Sequence, residues 1–460
     1  MLKLFLLNNL NRKMDKLKLL VNDSIIKIIG IFESENKKNE LHKFLEKNHF
    51  KNNPIEDDAN NTHKNLWYPE FRNMFILEKG QSACKIYHKE INQELTFFLR
   101  EGRETKLKEY LDVSILNAEL FTFKEGLHFF SIEASIKQKE LMHYSDLTFT
   151  INKFNSKVII NELEIPWVNW IESNVLAGIK IASTEKLEVK VDDYSGSKFK
   201  LFAVLDLAEN IDSISRDELL YDIGCSAKIG SAGGNEYHTP SQDYYLSLLK
   251  NKISVFNNYA ILPLFDSVTV IGHHIIESQP DSYKRKTWSQ SYFRIILYNL
   301  FIKYNLFRYN SELHEESNTD KVELRDKFEK FLNYYNLSHI SYNFLPNLIF
   351  HSHKKSLDIE NELQLFQKRI VRISESIKEE QQKRSNSLLG IVGIFTSIGA
   401  VKPVYEFVEH SRATLNMHAI LFYCLVAIIL ILLAIPVLIY LFPQKYKLIK
   451  LQWKNKKNSF

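Results

Sequence analysis

The chain has 460 residues, 45% of them hydrophobic and 25% charged, with a net charge of +5. That is apolar material for two or three domains of ordinary size. The basicity is local: Lys445, Lys447, Lys450, Lys454, Lys456 and Lys457 crowd the stretch after Phe442 with no acid among them, so the overall charge gives no ground for direct nucleic-acid binding.

Met1–Leu20 has short apolar runs broken by Asn8, Asn9, Asn11, Arg12 and Lys13, and no cleaved signal peptide is expected there. Residues 23 to about 285 read as a mixed α/β domain. Ser24–Phe32 is an isoleucine-rich strand, Leu41–His49 a short helix, and Met74–Leu77, Cys84–His88 and Leu95–Leu99 are short strands. Leu120–Ile136 alternates as two strands around the Lys124-Glu125-Gly126 turn, and Leu147–Ile151 and Val158–Ile160 continue the pattern. Phe199–Leu207 is a further apolar strand.

The glycine-rich stretch Gly224–Gly234 precedes the expected helix Gln242–Leu249, for which Thr239 or Ser241 offers a cap. Such a loop presents backbone N–H groups to an anion or is a plain surface loop; its spacing matches no phosphate-loop fingerprint. Asp266 falls inside an apolar run, where a carboxylate is either paired, ligand-bound or part of a turn. Cys84, Cys225 and Cys424 share no CxxC spacing, which speaks against a disulfide framework or a zinc site.

From Lys286 the period becomes helical: Trp288–Tyr309, the acidic break Ser311–Asn318, then Asp320–Tyr335. His351-Ser-His353 reads as part of a polar connector rather than a metal site. Ile359, Leu363, Phe366, Ile370, Ile373 and Ile377 then form a heptad seam, which resumes at Ile391, Ile394, Ile398 and Val401. One long helix over 357–408 is expected, its second half (Leu388–Val408) entering a membrane as a first span, with a loop over 409–416. Met417–Phe442 is expected as a second span kinked at Pro436, followed by a basic cytoplasmic tail over 443–460. The flanking lysines predict a multi-pass protein of the cell inner membrane with both ends in the cytoplasm.

This layout resembles the CorA-like divalent cation transporter superfamily over residues about 250 to 460, through Val255-Phe-Asn-Asn-Tyr-Ala260, the helical region, the Ile359–Val401 seam, the hairpin and Lys445–Lys457. The resemblance implies an α+β fold: a cytoplasmic ligand-sensing domain (1–285), a helical region (286–356) and the stalk, in a homopentamer with a central pore. The Gly-Met-Asn motif that ends the transporters' first span is missing; Val401–Glu409 stands in its place. In this the chain resembles the branch associated with type III CRISPR antiviral defence, whose members are taken to be membrane effectors activated by a nucleotide second messenger of the S-adenosylmethionine–AMP type.

A ligand-gated membrane effector is therefore expected, with membrane lipid, its own copies and a nucleotide as partners. Ile391, Ile394, Ile398 and Val401 would ring the pore and gate by dewetting. The cations and acceptors that a nucleotide needs are sought in Lys198, Lys200, Lys228, Asn257 and Asp266. The alternative is a magnesium or cobalt channel with an altered filter, in which Glu406 and Glu409 attract cations. No nucleophile–base set, paired carboxylates or phosphate loop stands out, so neither an enzyme nor a cofactor is expected.

Overall fold

The computed structural model describes residues 18–32, 45, 47–52, 66–75, 83–101, 108–176, 178–182, 198–233, 239–279, 282–315 and 318–411. The chain divides into two units: one comprises Met1–Glu316 and Leu324–Leu365, the other Ser317–Glu323 and Phe366–Phe460.

Unit one is α+β. In chain order its elements are β1 (Val21–Phe32), β2 (Lys51–Asn52), α1 (Pro69–Phe75), β3 (Cys84–Glu101), β4 (Lys108–Phe123), β5 (His128–Ser135), α2 (Leu141–Ile151), β6 (Lys157–Ile160), β7 (Leu163–Pro166), α3 (Trp167–Asn174), β8 (Ile181–Ala182) and β9 (Lys200–Leu207). These are followed by α4 (Ser213–Gly224), α5 (Gln242–Leu249), β10 (Ile253–Phe256), β11 (Tyr259–Pro263), β12 (Ser267–His273) and α6 (Tyr283–Lys286), which leads through a π-turn (Thr287–Tyr292) into α7 (Phe293–Glu315). Two helices cross between the units, α8 (Asn318–Tyr335) and α10 (Ile359–Ser411); α9 (Phe344–Ser356) lies between them in the chain.

One mixed sheet carries unit one, in the order β10-β11-β12-β9-β1-β5-β4-β3-β6-β7, with β2 on β3 and β8 on β1. Among the described residues only β9 and β12 run parallel, Ser267 opposite Leu201 and His273 opposite Leu207. The apolar run Ile25–Phe32 has the pattern of a strand covered on both faces, and β1 is central, flanked by β5 and β9 and buried along that whole run. Ile26, Ile28 and Phe32 face a core with α2, α3 and α4, where Trp167 stacks on Trp170 at 5.1 Å. The other face meets α7: Phe123 stacks on Phe301 at 4.1 Å, and Phe293 contacts Phe121 and Phe202. Gly30 is required by packing, since a Cβ there would overlap the ring of Phe130.

β3 and β4 are far longer than the short strands expected from their sequence. In β4 the residues that face the core with α2, α3 and α4 are Leu111, Val113 and Ile115, then Ala118 and Leu120. A bulge between Ile115 and Asn117 shifts the phase by one residue, so both halves face the same core while the alternation in the sequence breaks.

The membrane architecture is corrected. Among the described residues no helix is long and apolar enough to cross a membrane. The uncharged part of α10 runs from Ser385 to Val401, and its apolar section from Leu388 is roughly 14 residues, about 21 Å, against a hydrocarbon core of ~30 Å. Lys402, Glu406 and Glu409 follow in the same helix, with Lys402 and Glu406 one turn apart at 3.9 Å. The first span at Leu388–Val408 and the multi-pass inner-membrane location built on it therefore do not stand. The expected second span, Met417–Phe442, and the tail over 443–460 lie outside the described residues.

Candidate ligand-binding site

Because β9 and β12 are parallel, their first residues share one edge of the sheet. Lys198-Phe199-Lys200 leads into β9, and Phe265-Asp266 leads into β12. The Leu201 N–H donates to the Asp266 carbonyl at 2.9 Å, and Lys200 Nζ donates to Asp266 Oδ1 at 2.5 Å. Three of the five expected ligand residues, Lys198, Lys200 and Asp266, thus meet.

The structure adds cations that the sequence did not single out. Lys198 forms an antiparallel bridge with Lys153, whose Nζ lies 3.2 Å from the centre of the Phe149 ring. Lys303 of α7 donates to Glu362 Oε1 at 2.5 Å. The Phe265 ring lies 3.9 Å from Lys200 Nζ and 5.5 Å from Lys303 Nζ, so it bridges the two ammonium groups. Phe149 and Phe265 are 39% and 46% exposed, which leaves much of each ring open to a further partner.

Crowding of like charge shows in the protonation energetics. Burial lowers Lys200 below the ordinary lysine value; Asp266 opposes this, while Lys303 and Lys198 push further down. Burial and the charge of Lys198 also lower Lys153. An anion seated here would relieve both effects. A cavity of about 10 Å³ between Gly30, Phe129, Phe154, Lys200 and Tyr304 has room for roughly one water. A larger ligand would therefore lie over the exposed faces of Lys198, Phe149 and Phe265.

Lys228 and Asn257 hold other positions. Asn257 sits in the hairpin turn between β10 and β11, and its carbonyl accepts from Arg216 Nη1 at 2.9 Å. The Lys228 carbonyl accepts from the Ser231 hydroxyl at 2.7 Å. Within the glycine-rich loop, Gly230 N–H and Ala232 N–H donate to the two oxygens of Asp222, at 2.7 and 2.9 Å. The fully buried Asp222 carboxylate thus occupies the place of the anion that such a loop could cradle. Beside this loop, burial pushes the Cys225 thiol up to about 11, and Cys225 feels the charges of Lys198 and Asp266.

Of the other expected site residues, Ile391 and Ile394 are partly buried and Ile398 is 59% exposed; the side chain of Val401 lies outside the described residues. Lys303 had one legible signal, a lysine set between Ile302 and Tyr304 in a strongly apolar helix. Lys153 had none, since only its bridge to Lys198 brings it in.

Comparison of the chain with family models, with characterised proteins and with solved structures finds no match. What the fold and site define is an α+β protein with a lysine and phenylalanine surface at the head of the parallel pair β9–β12.

Proposed function

We propose that the chain is a ligand-responsive regulatory protein whose unit one binds a phosphate-bearing nucleotide, of the second-messenger class and in the antiviral setting that the resemblance implies. One observation carries the reading: Lys153, Lys198, Lys200 and Lys303 crowd together with two half-exposed phenylalanine rings. Phosphate takes ammonium donors, and bases stack on aromatic faces. Asp266, whose side chain is 48% exposed, can give up Lys200 to a ligand phosphate and be rehydrated.

Glu362 supplies a route for response. It lies in the first turn of α10 and holds Lys303, so a ligand that competes for Lys303 acts on the start of that helix. The response requires that ligand and Glu362 favour different arrangements of Lys303. Self-association through the Ile359–Val401 seam belongs to the same proposal and is read by light scattering.

The test is amine footprinting. The full chain is acetylated with and without an adenosylmethionine–AMP conjugate, a cyclic oligoadenylate or ATP, and the modified lysines are mapped by mass spectrometry. Protection at Lys153 and Lys198 by one of these nucleotides is expected. Nucleotide binding that leaves both lysines as reactive as before would refute the assignment.

A further inference from the structure

At the opposite end of β1 and β9 lies a second polar feature. Val21 pairs with Leu207 here, while Ile29 pairs with Lys200 beside the lysine cluster. From Ser24 to Ile29 the strand covers roughly 17 Å at ~3.3 Å per residue. A groove of about 540 Å³ opens at this end, lined by Asp23, Asn117, Glu133, Ser135, Lys139 and Arg285 among others. That volume is in the range of small-molecule sites, roughly 300–1,000 Å³.

The groove floor is a built ion network. Arg285 Nη1 reaches both oxygens of Asp23 at 2.9 Å, and Asp23 Oδ1 also accepts the Ser24 N–H at 2.7 Å, so Asp23 is well supplied with donors. Beneath, the buried Lys27 donates to Glu119 at 2.8 Å. Glu133 is different. It is 8% exposed, yet its partners are distant: Asn117 Nδ2 at 3.3 Å, Arg285 Nη2 at 3.5 Å and Lys27 Nζ at 3.7 Å. A close charge-assisted bond is about 2.7–2.9 Å. A buried carboxylate whose donors all stand off, on the wall of an open groove, is a receptor for a further cationic donor.

The rim carries the opposite sign. Lys137 is engaged by Glu94 at 2.6 Å, whereas Lys139 has no carboxylate partner among the described residues. With three cations and two carboxylates around it, the groove favours a ligand of both signs over a dication. We infer that this groove binds a small zwitterion of the α-amino-acid class, its ammonium group on Glu133 and its carboxylate toward Lys139.

The full chain is titrated calorimetrically with the standard amino acids, with N-acetyl derivatives of those that bind, and with putrescine. At least one free amino acid is expected to bind, its N-acetyl derivative to fail, and Glu133→Gln to weaken binding tenfold or more. Glu133→Gln also touches the Lys27 network, so Ser135→Phe, which fills the groove and keeps every ion partner, is expected to block the same ligand. Nucleotide protection at Lys198 is read alongside and stays unchanged in both variants, which separates this site from the first. The inference is overturned if no amino acid binds, if Glu133→Gln and Ser135→Phe both bind as the parent does, or if putrescine binds and the amino acids do not.

Discussion

Lys200 and Lys303 have the same chemistry and comparable burial, with side chains 7% and 4% exposed, yet their replacement is expected to have very unequal consequences for stability. In Lys200→Met the orphaned partner is Asp266, whose side chain is 48% exposed and rehydrates in place. Lys200 itself is an ammonium whose charged form is disfavoured by burial and by two neighbouring lysines. Removing it cancels that cost, so the fold should change by less than about 1 kcal/mol in either direction. In Lys303→Met the orphan is Glu362, whose side chain is 21% exposed and whose Oε2 is buried without a hydrogen bond. Stranding that carboxylate should cost about 3 kcal/mol.

Urea denaturation of the full chain, followed by the fluorescence of Trp167 and Trp170 in the unit-one core, measures both. The pH dependence gives a second sign. Because the folded-state value of Lys200 is lowered from 10.5, the unfolded chain binds more protons between the two values. The parent should therefore gain stability as pH rises toward 10.5, and Lys200→Met should lack that gain. A loss of 3 kcal/mol or more in Lys200→Met, or a silent Lys303→Met, would refute the reasoning.

Asp222→Asn should cost about 2–4 kcal/mol and speed hydrogen exchange at Gly230 and Ala232, since the amide supplies one acceptor where two N–H groups need a carboxylate. Burial holds His353 down at about 3, from 6.5, so stability fully present above pH 6.5 should drain away as pH falls toward 3. The loss is on the order of 4 kcal/mol, and His353→Phe should flatten that acid limb in a pH series of melts. Burial works against the charge of both Lys27 and Glu119, but their mutual attraction prevails, raising Lys27 above 10.5 and lowering Glu119 below 4.5. The pair's contribution should fade above pH 10.5 and below pH 4.5, and a double-mutant cycle with Lys27→Met and Glu119→Leu should return a coupling of about 1–3 kcal/mol. Gly272→Ala should markedly destabilise the β11–β12 hairpin, because a Cβ there would overlap Tyr259 and close on the Asn258 carbonyl at 2.7 Å; a thermal melt reports it.

Local pattern made much of unit one legible. The apolar run at Ser24–Phe32 forms β1, the Lys124–Gly126 turn separates β4 from β5, and Ser241 caps α5 through its hydroxyl and the Tyr244 N–H. The heptad seam marked α10 to within a few residues of its ends. Strand lengths were not legible where bulges break the alternation, as at Ile115–Asn117. Nor was the sheet order: β12 lies beside β9 only because the chain crosses over through α4 and α5. That crossover brings Asp266 to Lys200 across 66 positions, and no spacing rule spans such a gap. The membrane expectation failed on magnitude. An uncharged run reads as a span by its lack of charge, but its length in α10 falls short once Lys402 is reached.

The central claim is tested most directly by calorimetric titration of the full chain with the same nucleotides, beside the variant carrying Lys198→Ala and Lys200→Ala. The account predicts saturable binding of one of them to the parent and a loss of tenfold or more in the variant, with unit one still folded. Equal affinity in parent and variant would contradict it.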